Sequence, residues 1–443
     1  MNTNSLSTAS LHRTVVVGGG AAGLELATAL GKKLGKRGKA HVTLIDRSRT
    51  HLWKPKLHEV AAGSMDLDLY RVSYLAQAHW SHFQYRIGEM NGLDREQRLV
   101  HVAPSYDEEG REITPQRSFP YDTLVIAVGS LTNDFNIPGV KEYALQLEST
   151  TDAVRFHKRM VNACIRAHAQ SGPRRAEQLQ IAIVGAGATG VELSAELHRT
   201  TRDVVAFGLD NVDAKDIQVH VIEAADRILP ALPERLSVAT AKLLTKLGVK
   251  IHTSAKVAEV LPDGVRLVDG SVIQAELVVW SAGVKAPAFL RDLAGLETNL
   301  INQLVVEQTL QTTRDEHIFA IGDCAACPWP EKNSTVPPRA QAAHQQASHM
   351  LGQIRARLTG KPLKPYHYRD FGSLISLGEY TTIGNMMGGF SRGSLFIEGY
   401  FARIMYQSLY TMHQVAVRGY IKTALDIVAR FFTRRAEPHV KLH

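Results

Sequence analysis

Two glycine triads in this chain share one spacing: Gly18-x-Gly20-x-x-Gly23 and Gly185-x-Gly187-x-x-Gly190. Each follows a short β-branched run and opens an apolar pattern at helical spacing, TVVVGGGAAGLELATAL from residue 14 and IAIVGAGATGVELSAEL from residue 181. That context gives the motif its chemistry. The first glycine permits a tight turn, the second lets the backbone approach a pyrophosphate, and the third lets helix pack closely on strand. The helix N-terminus adds unpaired N–H groups and a partial positive charge. Gly19, Ala21 and Ala22 in the first copy and Thr189 in the second belong to these phosphate-facing turns. Either triad alone also reads as a structural glycine turn; the repeated strand–triad–helix context favours two dinucleotide sites.

An acid follows each turn at the end of the next strand, Asp46 closing VTLID, with Arg47 beside it, and Glu223 closing VHVIE. Asp46 lies 23 residues beyond Gly23, close to the roughly 20 expected of a carboxylate that binds a ribose hydroxyl. Glu223 lies 33 beyond Gly190, the excess falling in TTRDVVAFGLDNVDAKD. A carboxylate there repels a 2′-phosphate, so NADH is preferred to NADPH, although Arg227 nearby could accommodate that phosphate. Two further apolar strands, YDTLVIAVGS (121–130) and AELVVWSAG (275–283), place Gly129 and Gly283 at equivalent stages of the two copies.

These turns need elements to hold them. With 443 residues, 44% hydrophobic and 21% charged, the chain is an ordinary globular one, long enough for two or three domains. A net charge of +8 comes with no nucleic-acid motif, so no nucleic-acid partner is expected and an anionic membrane surface stays open. Three cysteines (Cys164, Cys324, Cys327) are too few for a disulfide framework and point to a reducing compartment. The N-terminal MNTNSLSTASLHR lacks the apolar core of a secretory signal. No apolar run reaches the roughly 18 residues of a membrane-spanning helix.

After the second copy comes Thr313-x-x-x-x-Ile318-Phe319-Ala320-Ile321-Gly322-Asp323, which resembles the second FAD fingerprint of the two-dinucleotide-binding flavoproteins. The resemblance implies that Asp323 binds the FAD ribitol and that the chain returns there to the FAD domain. It assigns FAD to Gly18–Gly23, Asp46 and Gly129, and NADH to Gly185–Gly190, Glu223 and Gly283. Within that superfamily the chain resembles, nearly end to end, the bacterial type II (non-proton-pumping) NADH:quinone oxidoreductases. The motifs behind this are His51-Leu-Trp-Lys54-Pro, Leu57-His58-Glu59-Val60, Gly185-x-Gly187-x-Thr189-Gly190-Val-Glu192-Leu, Gly322-Asp323-Cys324 and Pro337-Pro338-Arg339-Ala340-Gln341-Ala-Ala-His344-Gln345. Carried over by position, Ala340 and Gln341 would contact the flavin, and Gln341 and His344 would border the quinone. Disulfide reductases of the superfamily have a C-x-x-x-x-C pair soon after the first acid. HLWKPKLHEVAAG has no cysteine, which excludes that chemistry.

The resemblance implies that NADH gives hydride to the flavin, which then passes two electrons to a membrane quinone, ubiquinone or menaquinone. The cofactors supply the hard chemistry and the protein positions them. Glu192 is the first candidate for a general acid; an acid favoured near a helix N-terminus by the dipole is the alternative. Glu196, one turn on, suits packing or a salt bridge. Lys54 could donate to the flavin edge or be a surface or phosphate-facing lysine. His344 could relay protons or be an ordinary capping or core histidine. Cys324-Ala-Ala-Cys327 reads as structural or incidental, with a thiol or metal role as the alternative; no metal site is assigned.

In the last segment Phe401, Met405, Leu409, Met412, Ala416 and Tyr420 recur every three or four residues, and Leu425, Val428 and Phe432 extend them past Gly419. Arg403, Arg418, Lys422, Arg430, Arg434 and Arg435 lie among or after them. An amphipathic helix lying on anionic lipid fits this pattern; packing on the protein's own core and a homodimer interface are the alternatives. The expected fold is α/β, with two Rossmann-like dinucleotide-binding domains, the second inserted in the first, and a C-terminal membrane-docking helical element. The expected divisions are 1–150 (FAD domain, first part), 151–300 (NADH domain), 301–395 (FAD domain, second part, with the quinone-site helix) and 396–443 (membrane-associating region). The expected activity is non-electrogenic NADH:quinone oxidoreduction, peripheral on the cytoplasmic face of the bacterial inner membrane. Its rivals are an NADH-dependent reductase of another acceptor and a flavin-binding redox sensor.

Overall fold

The computed structural model describes residues 11–206, 208–377, 382–387, 394–398 and 400–433, with side chains for 11–206, 208–377, 382 and 406–429. The chain enters through β1 (His12–Val17), α1 (Ala21–Lys33) and β2 (Ala40–Asp46), then two short helices, α2 (Leu57–Ala62) and α3 (Tyr74–Ser81), and strands β3 (Gln84–Ile87) and β4 (Thr123–Ile126). The apolar residues of β1, β2 and β4 are buried on both faces, as parallel strands covered on both sides require.

A second parallel set follows: β5 (Ala144–Gln146), α4 (Thr150–Ala169), β6 (Gln180–Val184), α5 (Ala188–Ala206), β7 (Gln218–Ile222), β8 (Lys250–His252) and β9 (Leu277–Trp280). A capping box starts α4, with Ser149 and Asp152 each bonding the other's backbone N–H. The strands form one sheet in the order β5-β9-β6-β7-β8, parallel throughout. The strand β5 already belongs to this sheet, ahead of the division expected at residue 151.

The chain then returns. β10 (Gln311–Thr312) and β11 (Asp315–Ala320) complete the first sheet in the order β10-β11-β4-β1-β2-β3, with Leu124 opposite Ile318. Every strand of the second sheet thus lies in sequence between two strands paired in the first. Next come α6 (Ala340–Leu358), an antiparallel sheet of β12 (Gly372–Ser376), β13 (Thr382–Met387) and β14 (Ser394–Glu398), and helices α7 (Tyr400–Arg418) and α8 (Tyr420–Thr433). Gly419, at φ +88°, breaks the single helix that the sequence pattern suggests into these two.

Two cores result. One buries Val16, Leu24, Leu44, Ile126, Phe319 and Met350 and reaches Val417 of α7. The other buries Phe156, Met160, Leu193, Leu197 and Val221, and takes in Leu57 and Val60 of α2 and Ile375 of β12.

Candidate functional site

The two glycine turns have matching backbones. Gly18 sits at φ +99°, and a Cβ there would lie 2.4 Å from the Ala127 carbonyl oxygen; Gly185 sits at φ +103°, with 2.7 Å to the Ala282 nitrogen. A Cβ on Gly23 would be 1.8 Å from the Gly18 oxygen, and one on Gly190 2.0 Å from the Gly185 oxygen. Gly20 and Gly187 face open space, where a phosphate could approach, and no side chain caps α1 at Gly20. Gly129 (φ +72°) also faces open space, whereas the matching Gly283 (φ +70°) is met by the Phe135 ring.

The acids repeat the same contacts. Asp46 accepts the Gly19 N–H at 2.6 Å and the Ser48 N–H at 2.7 Å. Glu223 accepts the Ala186 N–H at 2.9 Å and the Ala225 N–H at 3.0 Å. Each carboxylate therefore braces its own turn. Burial pushes the Asp46 carboxyl up, and the two backbone N–H groups pull it back in part. Arg47 points elsewhere, to Glu89 at 3.5 Å. Arg227 donates to the Pro230 carbonyl at 3.1 Å. Ala21 and Ala22 lie in the first turn of α1, half-buried and buried, while Thr189 in α5 is exposed.

The return segment builds a polar junction beside the first turn. Ser130 donates to Asp323 Oδ2 at 2.8 Å, and the exposed Lys54 donates to the Ser130 carbonyl at 2.6 Å. Burial raises the Asp323 carboxyl despite the Ser130 hydroxyl. Gln346 of α6 accepts the Gly322 N–H at 2.6 Å and so holds the Asp323 turn from the other side. Neither Ser130 nor Gln346 is among the residues expected from sequence; Gln346 stands at helical spacing from Ala342 and Ala343, which signals burial and not polarity. Ala340 starts α6 half-buried. The Gln341 carboxamide is engaged within the protein, donating to the Gly372 carbonyl at 2.9 Å and to Asp370 at 3.3 Å, and accepting from Phe371 N at 3.1 Å. His344 meets Glu25 at 2.6 Å and lines an open groove of about 680 Å³ with Gln407, Thr411, Met412 and Val415 of α7.

Glu192 lies just past the first turn of α5, not in it, because the helix begins at Ala188. Its buried carboxylate accepts the Ser376 N–H at 3.0 Å and stands 3.5 Å from His58 Nδ1 of α2. These two contacts orient the carboxylate. Burial pushes this carboxyl up, with His58 and Ser376 working against the rise. Neither His58 nor Ser376 was singled out from sequence as a partner. Glu196 bridges to Arg199 at 3.0 Å.

Cys324 and Cys327 are buried free thiols, each pushed up to about 12 by burial. That disfavours the thiolate on which redox or metal chemistry depends. At the C-terminal end, Met412 and Tyr420 face outward while Tyr406, His413 and Val417 face the protein. Tyr420, Ile421 and Leu425 are 81%, 79% and 64% exposed. Lys422 lies 4.2 Å from the centre of the exposed Trp80 ring, and Arg418 pairs with Asp426. Arg434 and Arg435, and the side chains of Phe401, Arg403, Met405, Arg430 and Phe432, lie outside the described residues. Among the described residues no helix is long and apolar enough to cross a membrane.

Known proteins resemble this chain in four respects. A family model described as pyridine nucleotide-disulphide oxidoreductase matches residues 12–347. The type II NADH:quinone oxidoreductase of Haemophilus influenzae is 44% identical, covering 98% of this chain and 100% of that protein. Type II NADH:quinone oxidoreductase Ndh of Mycobacterium tuberculosis is 28% identical over 96% of this chain and 89% of its own length. Among solved structures, NDH2 from Plasmodium falciparum in complex with NADH shares the fold at a TM-score of 0.79 and 19% identity, covering 97% of this chain and 100% of that one.

Proposed function

Because the chain belongs to the pyridine nucleotide-disulphide oxidoreductase family and, within it, to the type II NADH:quinone oxidoreductases, we propose that it oxidises NADH through FAD and reduces a membrane quinone without ion pumping. The single observation behind this reading is the pair of matching turns, each open at its middle glycine and braced by its own acid. Bound FAD supplies the two-electron chemistry that links the two substrates.

We assign FAD to the first turn, with Gly18–Gly23, Asp46, Gly129 and Asp323. The uncapped start of α1 and the polar junction of Ser130, Lys54 and Gln346 support that choice. NADH is assigned to Gly185–Gly190, Glu223 and Gly283 in the second sheet, taken as an inserted Rossmann-like domain. The quinone side is assigned to α6 and α7, with Gln341 holding residues 370–372 in place and His344 lining the groove. The exposed apolar residues of α8 and the basic excess support docking on an anionic membrane surface, on the cytoplasmic face.

Glu192 is the proton donor in this reading: burial favours its protonated form, and His58 stands beside it. A carboxyl raised in the folded state adds stability fully below its ordinary value. That stability is lost as pH rises through the folded value.

The test is steady-state NADH oxidation by the full-length, FAD-loaded protein with ubiquinone and menaquinone analogues. Quinone-dependent turnover is expected, and none at all would sink the reading. Glu192→Gln should slow quinone-dependent flavin reoxidation about 100-fold and leave flavin reduction by NADH nearly unchanged. It should also melt at a higher temperature than the parent at neutral and alkaline pH. The reverse kinetic pattern removes Glu192 from its role.

A further inference from the structure

Behind the first glycine turn, buried and half-buried side chains from three helices and one short strand form an unbroken hydrogen-bonded line. His51 Nδ1 stands 2.9 Å from the Gly19 carbonyl oxygen, and His51 Nε2 stands 2.8 Å from Nε2 of His413 on α7. His413 Nδ1 meets Glu25 Oε1 of α1 at 2.6 Å, and Glu25 Oε2 meets His344 Nδ1 of α6, also at 2.6 Å. Glu25, His51 and His413 are each at least 94% buried, and His344 opens onto the groove.

The line can be counted in protons. A carbonyl oxygen and a carboxylate accept only, so the Gly19 and Glu25 ends donate nothing. The three contacts between them need three protons: one on His51 Nδ1, one on His413 Nδ1, and one between the two Nε2 atoms. Two neutral imidazoles bring two. The line therefore closes only with one extra proton, whose charge the Glu25 carboxylate balances. Without it, two nitrogen lone pairs face each other at 2.8 Å, at the contact that joins α7 to the first turn.

We propose that Glu25 is a positioning residue whose carboxylate holds this proton on the His51–His413 pair and through it latches α7 onto the Gly19 turn, so that the seating of the C-terminal helix depends on pH. The surroundings agree. Burial pushes His51 down to about 3, and the neighbouring His413 adds to that lowering. Burial alone would raise the Glu25 carboxyl, but the bonds from His344 and His413 outweigh it and hold it low. His344 is raised by the same bond to Glu25. The other titratable or charged groups facing the line are Tyr74, whose hydroxyl donates to the Gly19 carbonyl at 2.7 Å, Asp46 on the Gly19 N–H, and Arg418, which opposes a charge on His51. The contacts of Gln77 and Lys32 with the Val417 carbonyl, 2.7 and 3.3 Å, also hold α7, so loss of the proton loosens the helix without freeing it.

The test is hydrogen–deuterium exchange of peptides covering residues 406–418 in the full-length, FAD-loaded protein, corrected for intrinsic rates, between about pH 6 and pH 9. Protection in the parent should fall about tenfold as pH rises, the worth of one hydrogen bond to a charged group. Glu25→Gln lets the carboxamide donate to His413 Nδ1, so the line closes with two neutral imidazoles and protection should stay high and flat with pH. Glu25→Ala should be weakly protected throughout; if it does not fold, Glu25→Gln still decides. Protection independent of pH in the parent, or an undiminished pH dependence in Glu25→Gln, overturns the proposal. Flavin release, followed by fluorescence in the same samples, rests in addition on the assignment of FAD to this turn. Exchange that behaves as expected with no change in flavin release supports the latch and counts only against that assignment.

Discussion

The two glycine turns share a backbone and differ in what stands behind it. In the first, the Gly19 carbonyl takes hydrogen bonds from Tyr74 and His51, its N–H goes to Asp46, and α7 closes over the rear through His413. In the second, among the described residues, the equivalent Ala186 carbonyl takes only the backbone Leu229 N–H at 2.8 Å, the Gly185 carbonyl is met by the Ser281 hydroxyl at 2.9 Å, and Gly187, Ala188 and Thr189 are exposed. Local stability follows burial and the number of buttressing bonds. A turn tied at the rear suits a group retained through many turnovers, and an open one suits a ligand that must leave after each. This difference is an independent physical argument for FAD in the first and NADH in the second.

The strongest way to break the comparison is to apply the same steric insult to both copies. Gly23→Ala and Gly190→Ala each drive a Cβ to about 2 Å from a carbonyl oxygen, so the helix must move off its strand. Overpacking of this kind costs about 3 kcal/mol or more. Gly23→Ala should purify with little flavin and a lower melting temperature. Gly190→Ala should keep its flavin absorbance, because its turn packs in the other core, and should need at least about tenfold more NADH for half-maximal rate. Flavin lost equally in both would mean that the two sites are not separate.

A smaller effect separates the two acids. Glu223→Gln removes the charge that repels a 2′-phosphate and leaves one turn N–H facing an amide nitrogen. The ratio of kcat/KM for NADPH to that for NADH should rise about tenfold, with flavin content unchanged. Asp46→Asn should do the opposite, lowering flavin content and leaving the coenzyme ratio alone. A shifted ratio in Asp46→Asn would exchange the two assignments.

Both turns were legible in the sequence because everything that makes them is local. Glycines two to five residues apart and an acid at the end of the next strand fall inside one βαβ unit. What stayed hidden depends on distant pairings. Glu25 looks like a polar interruption in an apolar helix until residues 319 and 388 positions away are brought to it. The position of Glu192 could be read from helical spacing, but its partners could not, since His58 and Ser376 stand 134 and 184 residues away. The motif at Ala340–Gln345 marked the start of α6, yet what the Gln341 carboxamide holds is set by residues 370–372. The three residues of β5 are too few to show a strand pattern, so the second sheet starts earlier than composition suggests.

The least disruptive comparison tests the rear supports themselves. Tyr74→Phe removes one of two donors to the Gly19 carbonyl in a buried site and keeps the ring, which stacks on Tyr85 at 5.2 Å between centroids. His51 still satisfies the carbonyl, so the loss is that of one neutral hydrogen bond, about 1 kcal/mol, or roughly fivefold faster flavin release. Ser281→Ala removes a hydroxyl from the Gly185 carbonyl, which lies beside the exposed first turn of α5. Water can replace the lost donor there more readily, so the effect on the KM for NADH should stay below about threefold. If support from the rear is what distinguishes the sites, Tyr74→Phe changes flavin retention more than Ser281→Ala changes NADH affinity. Equal effects would show that retention comes from the open front of each turn, where the nucleotide itself makes the contacts.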